Sequence, residues 1–167
     1  MNVEELRARQ APLKEAYRQD PSKARQTLRA EGVLDPEEIV CRVETAAGVA
    51  EAGLHAAAGG DGHWACSGDM LLQSLAACAG VTLSAVAKAL GIALRGGKVI
   101  AEGDLDWRGT LGVSKEAPVG FSDVRLRFEI DADATDEQRA NLLRLAERYC
   151  VIYQTLKNPP RLSSAIS

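Results

Sequence analysis

Four cysteines (Cys41, Cys66, Cys78 and Cys150) and two histidines (His55 and His63) are the side chains of this 167-residue chain with the most chemical reach. Cys78 is the least ordinary of them. It lies in "CSGDMLLQSLAACAGVTLSAVAKALGI", a stretch that reads as one long helix, apolar on nearly every side. A buried cysteine in such a place is often only a small hydrophobe. If it is reactive, it needs a cation or a hydrogen-bond donor to hold it as a thiolate. Its own helix dipole is too distant to do this, because nine residues at about 1.5 Å each put the thiol roughly 13 Å from the helix start. Gly80 and the alanines 76, 77 and 79 around the thiol predict a tightly packed helix crossing or room left for a ligand. Cys150 lies in "ERYCVIYQTL", at the end of a second long helix.

A metal reading is weaker. His63 and Cys66 are close, and His55 and Cys41 complete a set of four, but a zinc site pairs its ligands at short spacing in both halves. No metal or cofactor is expected. The Gly-rich "GGDGHWACSG" lacks the Gly-Lys-Ser/Thr of a phosphate loop. It reads as a surface loop, or as a lid near Cys78 with Trp64 as an apolar wall.

Composition bounds the setting. Apolar residues make up 46% and charged residues 26% of the chain, and the net charge is −3. That is ordinary for a soluble domain and does not favour a nucleic-acid surface. The charged "MNVEELRARQ" has no signal-peptide core, and Gln73 and Lys88 interrupt the most apolar stretch, so a cytoplasmic protein without a membrane span is expected. There, structural disulfides are rare and a disulfide is more often transient and catalytic.

The elements that must hold these residues follow from periodicity. Residues 3–30 carry two mostly charged helical patterns. Pro12 is expected to kink or divide the first, and Asp20, Pro21 and Gly32 to cap and close the second. Residues 1–35 thus form a helical extension to a domain spanning 36–167. "IVCRVET" and "VAEAGLHA" predict short strands joined at Gly48, and a helix follows from about Asp69 to Leu90 with Ser67 as its N-cap. "KVIAEGDLDWRGTL" reads as a strand broken at Gly103. In "SDVRLRFEID", Val124, Leu126, Phe128 and Ile130 face one way and Arg125, Arg127 and Glu129 the other. Thr135 and Gln138 form a capping box for the last long helix. This order predicts an α+β fold with antiparallel sheets.

The helix "GDMLLQSLAACAGVTL" resembles the central helix of the OsmC/Ohr family, with Asp69 in the acidic place and an apolar run leading to Cys78. "RYCVIYQTL" is similar to the family's second cysteine motif, with Cys150 at the match. The resemblance covers about residues 36–167. It implies an intertwined homodimer with two long helices packed centrally between antiparallel sheets completed by both chains. It also implies a thiol peroxidase. Cys78 attacks an organic hydroperoxide and becomes a sulfenic acid, Cys150 resolves this to a disulfide, and an external dithiol reduces the pair.

The sequence departs from the family pattern in places. Val151 replaces the usual proline after the second cysteine. Gly68 stands ten residues before Cys78, where the family's hydroperoxide reductases have a glutamate, so Asp69 is the nearby carboxylate. Arg42 is the candidate for the activating cation. The alternative function is a non-enzymatic dimer of the same fold that senses redox state or binds a small molecule.

Overall fold

Asn2 and Glu5 satisfy each other's backbone N–H groups, at 2.8 and 3.0 Å, and so start helix α1 (Val3–Gln19). The computed structural model describes residues 1–166; Ser167, the last residue of the expected domain, lies outside the described residues. Pro12 does not divide α1, which runs through it. Proline's fixed φ is itself helical, so the loss is one donor and some crowding, not the path of the backbone. The second expected helix does not form beyond one turn. Asp20 caps a 3-10 turn at Pro21–Ala24, and the chain then extends. "RQTLRAE" offers a single large apolar side chain, Leu28, which is 84% exposed, so no packing offsets the cost of nucleating a helix. Gly32 is therefore not a helix cap. It opens strand β1 (Gly32–Leu34), where a Cβ would lie 2.6 Å from the Cys41 sulfur.

Two further strands, β2 (Val40–Thr45) and β3 (Gly48–Gly53), pair in register from Val40–Gly53 to Thr45–Gly48 around a turn at Ala46 and Ala47. Gly48 takes φ +131°, which explains the glycine there. The loop that follows contains two unforeseen elements, a 3-10 turn at Ala56–Ala58 and the short strand β4 (Ala65–Cys66), which adds parallel to β3 through Ala52–Ala65 and Gly53–Cys66. The first sheet is thus β1-β2-β3-β4. The pairing moves the start of helix α2 (Ser67–Leu90). Cys66, already extended as the end of a strand, takes the N-cap position instead of Ser67, with no side-chain cap. Trp64 covers Gly53, where a Cβ would meet its ring at 2.8 Å.

The second sheet pairs β5 (Leu94–Asp104) with β6 (Asp123–Ala132), antiparallel over their whole length. Between them lies the short turn of helix α3 (Trp107–Thr110), capped by Asp106. Thr135 and Gln138 form the expected capping box of α4 (Asp136–Tyr149), and after Cys150 the chain resumes as α5 (Val151–Lys157). On β6 the alternation is as expected. Val124, Leu126, Phe128 and Ile130 turn to the core. Arg125, Arg127 and Glu129 form an outer charge ladder with Asp104, Asp123 and Lys98.

The architecture is α+β, with α2 as its spine. By length and composition alone α2 would pass for a membrane-crossing helix. Here its stripe Leu75, Ala79, Leu83 and Ala87, one residue per turn, is the core. Leu83 and Ala87 pack with Ile92, Ala132, Leu142 and Ala146, and Leu75 and Ala79 pack with Cys150. A Cβ at Gly80 would meet the Val99 side chain of β5 at 3.4 Å, and the neighbouring Ala79 packs against Cys150 between α4 and α5, so a strand and a helix joint both close in on these small residues.

Candidate functional site

The second of these clusters is where the chemistry lies. Leu75, Ala79 and Cys150 are each about 1% exposed, and Cys78, Tyr153, Ile152, Val99, Val124 and Leu126 pack against them. The fold brings Cys78 and Cys150 together because α2 carries one and the joint between α4 and α5 carries the other. Cys150 ends α4 and is also the N-cap of α5, its sulfur accepting from the Tyr153 N–H at 3.5 Å. The extended backbone at this one residue turns the chain so that the start of α5 lies against the middle of α2.

The two thiols are electrostatically unequal. Burial, the largest influence on Cys78, pushes its thiol up. Hydrogen bonds from the Ile152 N–H, the Cys150 thiol, the Val151 N–H and the Thr82 hydroxyl outweigh it and leave Cys78 below the ordinary cysteine range. Burial likewise pushes Cys150 up. The Tyr153 N–H opposes this, but the neighbouring Cys78 sulfur reinforces it, and Cys150 ends above the ordinary range. Cys78 is therefore the more acidic of the two thiols and Cys150 the less acidic. What lowers the Cys78 thiol is a set of neutral donors at the start of α5, together with the Thr82 hydroxyl one helical turn beyond it.

A cavity of about 650 Å³ adjoins the thiol cluster, although neither cysteine itself lines it. Leu75, Val124, Leu126 and Tyr153 belong both to its lining and to the thiol cluster, and Leu71, Phe121 and Leu156 extend its apolar wall. Glu147 and Lys157 are the charged groups contributed by α4 and α5, with the Lys157 ammonium 5.9 Å from the centre of the Tyr153 ring. The Tyr153 phenol is held above its ordinary range by burial and by the Glu147 carboxylate that faces it.

The other sequence candidates lie elsewhere. Asp69 is in the first turn of α2, nine residues from Cys78 and so rotated about 180° from it around the helix. It lines a separate hollow with His55, Cys66, Asp104, Trp107 and Phe121. The Arg42 guanidinium is engaged by Asp35 and, at 2.8 Å, by Glu51 in the first sheet, and it is not among the groups that act on Cys78. His55 stacks on Trp107 with centroids 4.6 Å apart, and His63 pairs with Asp61 at 3.0 Å. Trp64, expected as a wall near Cys78, lies on β3 because β4 holds it there.

Sequence reasoning missed the Val151 and Ile152 N–H groups, Thr82, Glu147 and Tyr153. Backbone donors leave no signature in residue type. Thr82 and Tyr153 had one: each stands three or four residues from a cysteine, on the same helical face.

Comparison with known proteins identifies the family and the fold. A family model described as "OsmC-like protein" matches residues 60–165. None of the curated proteins matches the chain. Among solved structures, an OsmC-like protein from Mycoplasma pneumoniae is similar, with a TM-score of 0.66 at 15% identity, covering 80% of this chain and 89% of that one. An organic hydroperoxide resistance protein OsmC from Legionella pneumophila gives a TM-score of 0.56 at 17% identity, covering 80% and 93%. The organic hydroperoxide resistance protein OhrB of Bacillus subtilis gives 0.51 at 17% identity, covering 79% and 93%.

Proposed function

The chain belongs to the OsmC-like protein family, and on that premise we propose that it is a cysteine-based peroxidase acting on organic hydroperoxides. The observation that carries this reading is the unequal thiol pair: Cys78 packs against the buried Cys150 in one cluster, and its surroundings push its thiol down while those of Cys150 push that thiol up. The apolar cavity alongside suits a substrate with a hydrocarbon body, and the solved structures named for organic hydroperoxide resistance share the fold.

The Cys78 thiolate attacks the distal oxygen of the hydroperoxide. The O–O bond breaks, its electron pair leaves with the alkoxide, and sulfur is oxidised to sulfenic acid. The alkoxide takes a proton and departs as the alcohol. Cys150 then attacks the sulfenic sulfur, water leaves, and a Cys78–Cys150 disulfide remains. An external dithiol of the cytoplasm reduces it by thiol–disulfide exchange, so no bound cofactor is required. The reading includes a homodimer. Val81, Tyr149 and Val151, on α2 and beside the thiol pair, are 72%, 59% and 68% exposed, and a second chain would cover them.

The test is stoichiometric consumption of cumene hydroperoxide by the prereduced protein and by Cys78→Ser and Cys150→Ser. The wild type should consume it and lose two thiols per chain, and Cys78→Ser should be inert. A wild type that consumes none would instead support the sensing or ligand-binding dimer.

A further inference from the structure

Breaking the O–O bond leaves an alkoxide, a strong base that must receive a proton in or soon after the transition state. Neither residue nominated for thiolate activation lies in this cavity. Asp69 is on the far side of α2 and Arg42 is held by carboxylates of the first sheet. Four side chains are shared by the cavity wall and the thiol cluster, namely Leu75, Val124, Leu126 and Tyr153, and Tyr153 alone among them can donate a proton. Its position is fixed from two directions. Its own N–H donates to the Cys150 sulfur at 3.5 Å, and the Lys157 ammonium sits over its ring.

We propose that Tyr153 is the acid of the hydroperoxide reaction: its phenol binds the proximal oxygen of a substrate lying along Leu71 and Leu75, and protonates it as the O–O bond breaks. The proposal rests on the peroxidase reading above. The balance is closed within the site. Cys78 gives the electron pair and keeps the distal oxygen with its proton as sulfenic acid, Tyr153 gives its proton to the alkoxide, and the resulting phenolate recovers one from water. Burial and the Glu147 carboxylate hold the phenol above its ordinary range, so it enters the reaction neutral. The donor is neutral, as suits a cavity that admits an apolar substrate.

The experiment compares wild type and Tyr153→Phe in single-turnover oxidation of Cys78 by two oxidants. Cumene hydroperoxide expels an alkoxide that needs the proton. Peracetic acid expels a carboxylate that does not. Tyr153→Phe should slow the first reaction by about 100-fold, in the range of a lost general acid, and leave the second within about threefold. Alkylation of Cys78 by iodoacetamide, which expels iodide, should also be unchanged and shows that the thiolate environment is intact. Equal losses with all three reagents would make Tyr153 a packing residue, and no loss with cumene hydroperoxide would remove its role outright; either result overturns the proposal. A wild type that reacts with neither oxidant but is alkylated normally would show instead that the peroxidase reading itself had failed.

Discussion

Cys78 in the middle of α2 packs against Cys150 at the N-cap of α5, and each sulfur shifts the other's acidity in the opposite direction. Because this proximity lowers one thiol and raises the other, the pair has a built-in order of reaction. Iodoacetamide at neutral pH, with mass-spectrometric mapping, should label Cys78 well before Cys150. Labelling of Cys78 against pH should show a midpoint below that of an ordinary thiol. If Cys150 is labelled first, the order of acidity is reversed.

Removing the second thiol should separate the two chemical steps. Cys150→Ser keeps a hydroxyl donor beside Cys78, so the first oxidation should proceed within a fewfold of the wild-type rate. With no thiol to intercept it, the sulfenic acid should persist, be trapped by dimedone, and advance to sulfinic acid under excess peroxide. Disulfide formation from this variant through Cys41 or Cys66 would reassign the resolving role.

A further expectation concerns acid stability. The Arg42 guanidinium, together with the N–H groups of Glu37 and Glu38, holds the Asp35 carboxyl down from 3.8 to about 2. As the pH falls, the unfolded chain takes up this proton before the folded one. The contribution of Asp35 is therefore complete above pH 4 and is lost as the pH drops from about 4 to about 2. Urea titrations of wild type and Asp35→Asn should differ most near neutral pH and converge toward pH 2. A difference that does not depend on pH would mean that the ion pair contributes nothing to the fold.

Much of this arrangement was legible in residue pattern. The alternation of β6, the capping box of α4 and the apolar run of α2 each follow from local rules, and the structure places all three where the periodicity does. What was not legible came from pairings between distant segments. Cys66 became an N-cap because Ala65 and Cys66 add to β3, and the helix expected over residues 20–32 gave way to one 3-10 turn and a strand because Gly32 joins β2. The site followed the same division. The two cysteines stand out in the sequence, but a search for their activator among charged side chains led to Arg42 and Asp69, while the groups around Cys78 are backbone N–H donors and neutral hydroxyl and thiol groups.

The aromatic wall of the cavity gives a specificity test. Phe121 lines both the cavity beside the thiols and the hollow around Asp69, and it lies so close over Gly103 that a Cβ there would meet its ring at 2.6 Å. It is the partition between the two spaces. Phe121→Ala should join them and lower KM for bulky hydroperoxides relative to tert-butyl hydroperoxide, at a stability cost of about 3 kcal/mol. An unchanged ratio of kcat/KM between large and small substrates would mean that substrates do not reach this wall.

The departure at position 151 yields the sharpest test of how Cys78 is activated. Val151 carries an N–H that helps to lower the Cys78 thiol, and proline at that position would have none. The replacement fits the fold, because 151 is the first residue of α5, where proline is favoured, and Cys150 already has the extended φ −74° and ψ 111° that precede proline well. Val151→Pro should therefore fold normally but lose one hydrogen bond to a charged sulfur. The labelling midpoint of Cys78 should rise, and its oxidation at neutral pH should slow by about tenfold. The deficit should shrink as the pH is raised, since alkali restores the thiolate. A folded Val151→Pro protein with an unshifted midpoint would show that the Val151 N–H does not stabilise the anion, leaving the Ile152 N–H, the Cys150 thiol and the Thr82 hydroxyl as its donors.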